Sequence, residues 1–200
     1  GNHGGAINGI AVDFPNHHFL TTQLYGGQIL AYNSANAEIF AQSVGYCPDT
    51  TGFDCNHRRI WAGAQCGGGN DPLFVFNADT FAKIAGPIGT GGVMGAVRVN
   101  PVTGKLYVTE GTVSKEVNPK TFAVTTTSFG NVEAIDSVTD RLFAVQGTDL
   151  QVVNGATDTV TKTVSLGYTP GDMGVNNALG HIYLTSQPAN AIEVRTEKGA

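Results

Sequence analysis

Charge is scarce in this chain. Only 14% of its 200 residues are Asp, Glu, Lys or Arg, just eleven are Lys or Arg, and no basic cluster is longer than Arg58-Arg59. A row of phosphates could not be neutralised by so little, so no nucleic-acid partner is expected. Long apolar runs are missing as well: none approaches the ~20 residues that cross a bilayer as a helix, and no membrane span is expected. Catalytic signatures are absent too: Gly-x-Ser-x-Gly, His-Glu-x-x-His, a Walker loop and the Rossmann glycines do not occur. The run Gly67-Gly68-Gly69 lies between two strand-like segments, does not open a helix and so offers no helix N-terminus for phosphate. Nor is there an Asn-x-Ser/Thr sequon. What is present is 41% hydrophobic residues at a mean hydropathy of -0.03, with 27 glycines and a formal charge of -5. A chain of this size buries roughly 70% of its unfolded surface, so a single globular domain over 1–200 is expected without an obligatory staple.

The glycines, asparagines and threonines fall into a repeat. A pattern of apolar residue, Asx, four residues, basic, apolar and bulky apolar residue aligns five times. The copies are Val12-Asp13 to Leu20, Phe53-Asp54 to Trp61, Val99-Asn100 to Tyr107, Ile135-Asp136 to Phe143, and Val175-Asn176 to Tyr183. Spacings between the Asx residues are 41, 46, 36 and 40. A second motif keeps step with the first, ending at Asn33, Asn77, Asn118, Asn154 and Arg195. Each copy reads as short strands cut by turn chemistry such as NPVTGK and NGATD, with a fourth strand in four copies at 38–44, 81–88, 122–128 and 159–165. A helical period of 3.6 is nowhere sustained. Four-strand units about forty residues long predict an all-β fold, a five-bladed β-propeller with blades near 6–47, 48–92, 93–130, 131–170 and an incomplete 171–200.

Two stretches carry a family resemblance. Val99 to Glu110, VNPVTGKLYVTE, resembles the YVTN repeat, named for a Tyr-Val-Thr-Asn second strand, and Val152 to Val160, VVNGATDTV, resembles its third-strand, turn and fourth-strand portion. The likeness is close over 94–200 and looser before that. It implies a β-propeller of a kind common in extracellular and cell-surface proteins and supplies no catalytic residue. At the position of the name-giving Asn this chain has Gln23, Gln65, Glu110, Gln146 and Gln187.

Those five residues define the candidate site. Strands of a propeller alternate in direction, so the ends of the second strands share a face with the starts of the inner strands. Gln23, Gln65, Glu110, Gln146 and Gln187 are therefore expected to gather with Glu133 and Asp172 around a channel. Amides and a few carboxylates there suit a carbohydrate, or Ca²⁺ as the one optional cofactor, because hard cations take several oxygens and polyols take amides. The other reading has these side chains capping their own turns. The five Asx residues are expected to bond the backbone two residues on, and the basic residues that open the second strands (His18, Arg59, Lys105, Arg141, His181) to be solvated at the rim. His17, His18 and His57 have no zinc-type spacing.

Three cysteines in loop-like segments, together with low Lys content, suggest a secreted protein. Loop placement favours a Cys47–Cys66 disulfide over Cys47–Cys55. An incomplete last blade would leave the strand 191–195 with an unpaired edge, to be covered by the N-terminal segment or by another chain. Taken together, these features predict a secreted, non-catalytic binding or assembly module that acts on protein partners or on itself. The rival is a metal-dependent hydrolase or lyase of lactonase type, with its site at the channel mouth.

Overall fold

The computed structural model describes residues 6–45, 47–65 and 69–197, and among these no helix occurs. Five antiparallel sheets account for the strands. The first holds β1 (Ile7–Asp13), β2 (His18–Gln23), β3 (Gln28–Tyr32) and β4 (Glu38–Ser43), and the second β5 (Pro48–Asp54), β6 (Arg59–Ala64), β7 (Pro72–Asn77) and β8 (Lys83–Gly89). The third holds β9 (Val97–Val99), β10 (Leu106–Glu110), β11 (Val113–Val117) and β12 (Val124–Thr126), and the fourth β13 (Asn131–Asp136), β14 (Arg141–Gln146), β15 (Asp149–Asn154) and β16 (Thr159–Ser165). Only three strands form the fifth: β17 (Met173–Asn176), β18 (His181–Ser186) and β19 (Ala191–Thr196).

Sheets become blades because both faces of each are apolar. Leu20 lies opposite Ala31 and so shares its face, and that face packs on Ile60, Ala62, Phe74 and Phe76 of the second sheet. The next residue of β6, Trp61, points the other way and packs with Val97, Leu106 and Val108 of the third. Tyr107 then meets Val132, Leu142 and Ala144, and Phe143 meets Met173, Ile182 and Leu184. The bulky apolar residue of the repeat thus always faces the following blade, and the apolar residue before it the preceding one, as strand alternation requires. Close approach of the inner strands demands small residues: a Cβ at Gly52 would stand 2.7 Å from Val99, and one at Gly9 2.7 Å from the Thr51 backbone. Inner strands pack in the order β1, β5, β9, β13, β17. The architecture is the expected all-β propeller with five blades, the last incomplete.

The Asx residues do more than turn the chain. Asp54 Oδ1 accepts from the N–H groups of Asn56 and His57, and Asp136 and Asn176 accept in the same way two and three residues on. Four residues after each Asx the backbone is left-handed, with φ of 53° at His17, 52° at Arg58, 73° at Gly104, 53° at Asp140 and 60° at Gly180. That residue reaches back to the Asx of the preceding blade. Arg58 donates through both terminal nitrogens to Asp13, at 2.9 and 2.8 Å, and Asn100 donates to Asp140 at 2.7 Å. Where the position is Gly104, the space belongs to His57, whose Nδ1 lies 2.9 Å from Asp54. At Gly180 the carbonyl accepts from the N–H of Glu197. Burial and the facing Asp136 carboxylate raise the Glu197 carboxyl; burial also pushes Asp136 up, but bonds from Thr139, Glu197 and backbone N–H groups hold it below its usual range.

The basic residues depart from the expectation of solvated rim groups. Each of four crosses to the next blade. His18 lies against the Phe81 ring, Arg59 covers Phe122 and donates to the Pro119 carbonyl, Lys105 pairs with Asp158, and Arg141 pairs with Glu197 at 3.2 Å. The cause is geometric: the turn after the third strand of each following blade ends under them, at the left-handed residues Phe81, Phe122 and Asp158. Those residues also shorten the fourth strands, so that β8 and β12 begin after Phe81 and Phe122 and not at them. The turn is wound by an Asn, whose side chain takes two N–H groups, as Asn77 and Asn118 do.

Two stability changes follow. Arg58→Ala strands the fully buried Asp13 carboxylate, and a loss of about 3 kcal/mol is expected in urea unfolding. Tyr107, completely buried, donates to Asp158 at 2.7 Å, and burial raises its phenol well above the usual value. Tyr107→Phe is expected to cost about 1.5 kcal/mol, the value of a hydrogen bond to a charged acceptor, measured in the same way.

Candidate functional site

On the face where inner strands begin, the third, fourth and fifth blades enclose a cleft of about 270 Å³, lined in part by Gly111, Asn131, Glu133, Thr169 and Asp172. A bulge between Val132 and Ala134 takes Glu133 out of the ladder, and a bulged residue is free to be re-aimed. Its carboxylate lies 3.7 Å from Arg98 of β9, which also donates to the Glu133 carbonyl at 3.0 Å. Burial raises the Glu133 carboxyl, Arg98 opposes the rise and Asp172 adds to it. Asn131 donates to the Gly111 carbonyl at 2.8 Å, while its own Oδ1 is buried without a donor. Asp172 accepts from the Met173 N–H. The arrangement offers two carboxylates, one amide oxygen and one guanidinium, which is hydrogen-bonding equipment for hydroxyl groups.

Only two of the seven residues expected at the channel line this cleft, Glu133 and Asp172. The other five do not line it. Gln23 is buried and packs so tightly beneath its hairpin that a Cβ at Gly26 would lie 2.0 Å from its amide oxygen. Gln65 donates to the Met94 carbonyl. Gln146 accepts from Gln151, whose own oxygen holds the Gly130 N–H. Glu110 is 9% exposed, with Oε1 unpaired and Oε2 against Gly92. Gln187 is exposed. Among the described residues no group of three or more His, Cys, Asp or Glu could hold a metal ion, so His17, His18 and His57 do not form one. Cys55 is free and exposed, which sets aside the Cys47–Cys55 pairing; Cys66 lies outside the described residues.

One functional position escaped the sequence reading. Nine residues after the Asx, Thr22, Thr109 and Thr185 accept from the N–H groups of Gly9, Ala96 and Asp172 at 2.9, 2.7 and 2.7 Å. They fix the first residues of three inner strands, and hence Asp172 at the cleft. Recurrence of Thr at that register in three of five copies was the available signal.

No protein-family model and no curated protein matches the chain. Solved structures do. One chain in a nidogen/laminin complex is 17% identical with a TM-score of 0.66, covering 96% of this chain and 76% of that one. A chain of a mitotic checkpoint complex is 11% identical with a TM-score of 0.78, covering 98% and 62%, and hydrazine synthase of Kuenenia stuttgartiensis is 12% identical with a TM-score of 0.72, covering 92% and 57%. This chain therefore spans less than two thirds of the latter two. At such identities the likeness defines the class of fold: a β-propeller.

The cleft has a pH signature. A carboxyl raised by burial penalises the folded state once ionised, and the penalty disappears as pH falls through its folded pKa. Glu133→Gln is accordingly expected to raise the melting temperature at pH 7, with a gain in stability of no more than about 1 kcal/mol since Arg98 and solvent offset the penalty. That gain should shrink to nothing on acidification. A melting series from pH 7 to pH 4 measures it.

Proposed function

We propose that this β-propeller is a secreted, non-catalytic binding and assembly module built of YVTN-type repeats. The observation that carries the reading is the incomplete fifth blade. Among the described residues no strand pairs with the outer side of β19, and such an edge is a template for another chain's strand. The nidogen/laminin and mitotic checkpoint neighbours come from protein complexes, which supports a protein partner. No described helix is long and apolar enough to cross a membrane. Secretion rests on the composition and on a Cys47–Cys66 disulfide. The donor-free Asn131 Oδ1, with Glu133 and Asp172, favours a carbohydrate as a second ligand, and Ca²⁺ is the one cation those oxygens would take.

Hydrogen exchange tests the edge. Those amides of 191–196 that point away from β18 should exchange slowly only at protein concentrations where the chain associates; their fast exchange in an associated sample would refute strand addition. Peptide mapping without reduction should recover Cys47 joined to Cys66 and Cys55 alkylated. Elemental analysis addresses the rival hydrolase. No stoichiometric divalent ion is expected, and one ion per chain that disappears in Glu133→Gln with Asp172→Asn would favour the enzyme.

A further inference from the structure

The seam between blades three and four holds an amine against a carboxyl. The basic position that opens the second strand is His18, Arg59, Lys105, Arg141 or His181, so the repeat places a primary amine there in the third blade alone. What Lys105 meets is also unlike its counterparts: Asp158 stands at the left-handed position held by Phe81 and Phe122 in the two blades before. Arg141 meets a carboxylate as well, Glu197, but a guanidinium stays protonated and is no nucleophile.

The geometry around this pair is closely fixed. Lys105 Nζ is in direct contact with Asp158 Oδ2 and lies 3.9 Å from Glu116 Oε1 on β11. The carbonyls of Gly155 and Ala156, at 3.4 and 3.5 Å, hold the amine over the turn. Tyr107, completely buried, donates to the other oxygen of the acid, Oδ1, at 2.7 Å. The Asp158 N–H donates to the Asn154 carbonyl at 2.8 Å, so the acid sits on a closed turn. The side chains of Lys105, Glu116 and Asp158 are only 17%, 19% and 22% exposed.

We propose that Lys105 and Asp158 condense to an isopeptide bond that joins blades three and four covalently, with Glu116 as the proton relay. A C–N bond forms between Nζ and Asp158 Cγ, and the Cγ–Oδ2 bond breaks. Within the ion pair one proton passes from the ammonium to Oδ2, which frees the amine to attack. Glu116 then takes a second proton from the nitrogen and gives its own to the departing oxygen. Water leaves, Glu116 ends as it began, and nothing is oxidised or reduced. Tyr107 donates to Oδ1, the oxygen that stays and carries the charge of the tetrahedral intermediate.

Three features favour the reaction in this place. Groups held in contact react at effective molarities of about 10⁵–10⁸ M. Two charges lose hydration in the seam, a loss that a neutral amide does not suffer. Burial first, and then the facing Asp158 carboxylate, raise the Glu116 carboxyl, with Lys105 opposing the rise, so that Glu116 keeps a proton to give nearer neutral pH. The product would close a loop between positions 105 and 158 that survives unfolding, as a disulfide does, but that no thiol opens. This bond is independent of whether the chain assembles.

Intact-mass spectrometry of the purified, reduced chain tests the proposal, with circular dichroism confirming that each variant folds. The chain should be lighter than its sequence by one water, and a digest should yield the Lys105 peptide joined to the Asp158 peptide. Lys105→Arg keeps the ion pair and should have the full mass. Asp158→Asn, whose side chain suits a left-handed residue, should form the same bond and lose ammonia in place of water. Glu116→Gln should slow bond formation by at least about a hundredfold, the usual share of a proton relay; undiminished formation would overturn its role. A folded chain of full mass, or a water loss that persists in Lys105→Arg, would overturn the bond itself.

Discussion

Everything in this molecule hangs on a buried Asx at the end of each inner strand. A turn of four residues cannot satisfy its own N–H groups when packed against a neighbour, and an unpaired buried donor costs as much as a lost hydrogen bond. The Asx oxygen takes one or two of those donors, and at Asp13 and Asn100 the side chain also engages the next blade. One residue thus couples local turn geometry to the angle at which sheets meet. In four of the five copies it is at most 1% exposed; the exception, Asn176, is the one with no following blade.

The strands and the order of the sheets were legible because hydrophobic alternation and turn chemistry are local, and repetition multiplied each weak signal fivefold. Leu20, Trp61, Tyr107 and Phe143 could be aligned long before their partners were known. What alignment alone does not convey is which neighbour a polar group meets. Arg59 and Lys105 looked like surface residues since nothing in their own blade needs them. Their partners, Pro119 and Asp158, are about sixty and fifty positions away, in turns whose left-handed ends came from Phe122 and Asp158 and not from glycine.

The channel residues show the same limit more sharply. A register repeated five times placed Gln23, Gln65, Glu110, Gln146 and Gln187 at one height, and height alone does not set direction. Three are drawn to nearby groups: the hairpin for Gln23, the Met94 carbonyl for Gln65 and Gln151 for Gln146. Glu133 and Asp172 escape that pull for different reasons, a bulge in one case and a threonine-pinned strand start in the other. A cleft therefore forms among blades three, four and five.

The junctions share a plan but not a chemistry, and this has a consequence for how the chain finds its order. Sheets this alike invite mistaken neighbours during folding, the usual hazard of repeat proteins. Here each seam carries its own lock: carboxylate with guanidinium, carboxylate with imidazole over glycine, amide with carboxylate, and arginine with glutamate. Exchanging the second and fourth blades would set the buried Asp13 against the half-buried Asp140 in place of its arginine. Sequence drift at a single repeated position thus serves as an error check, giving five similar pieces one workable arrangement.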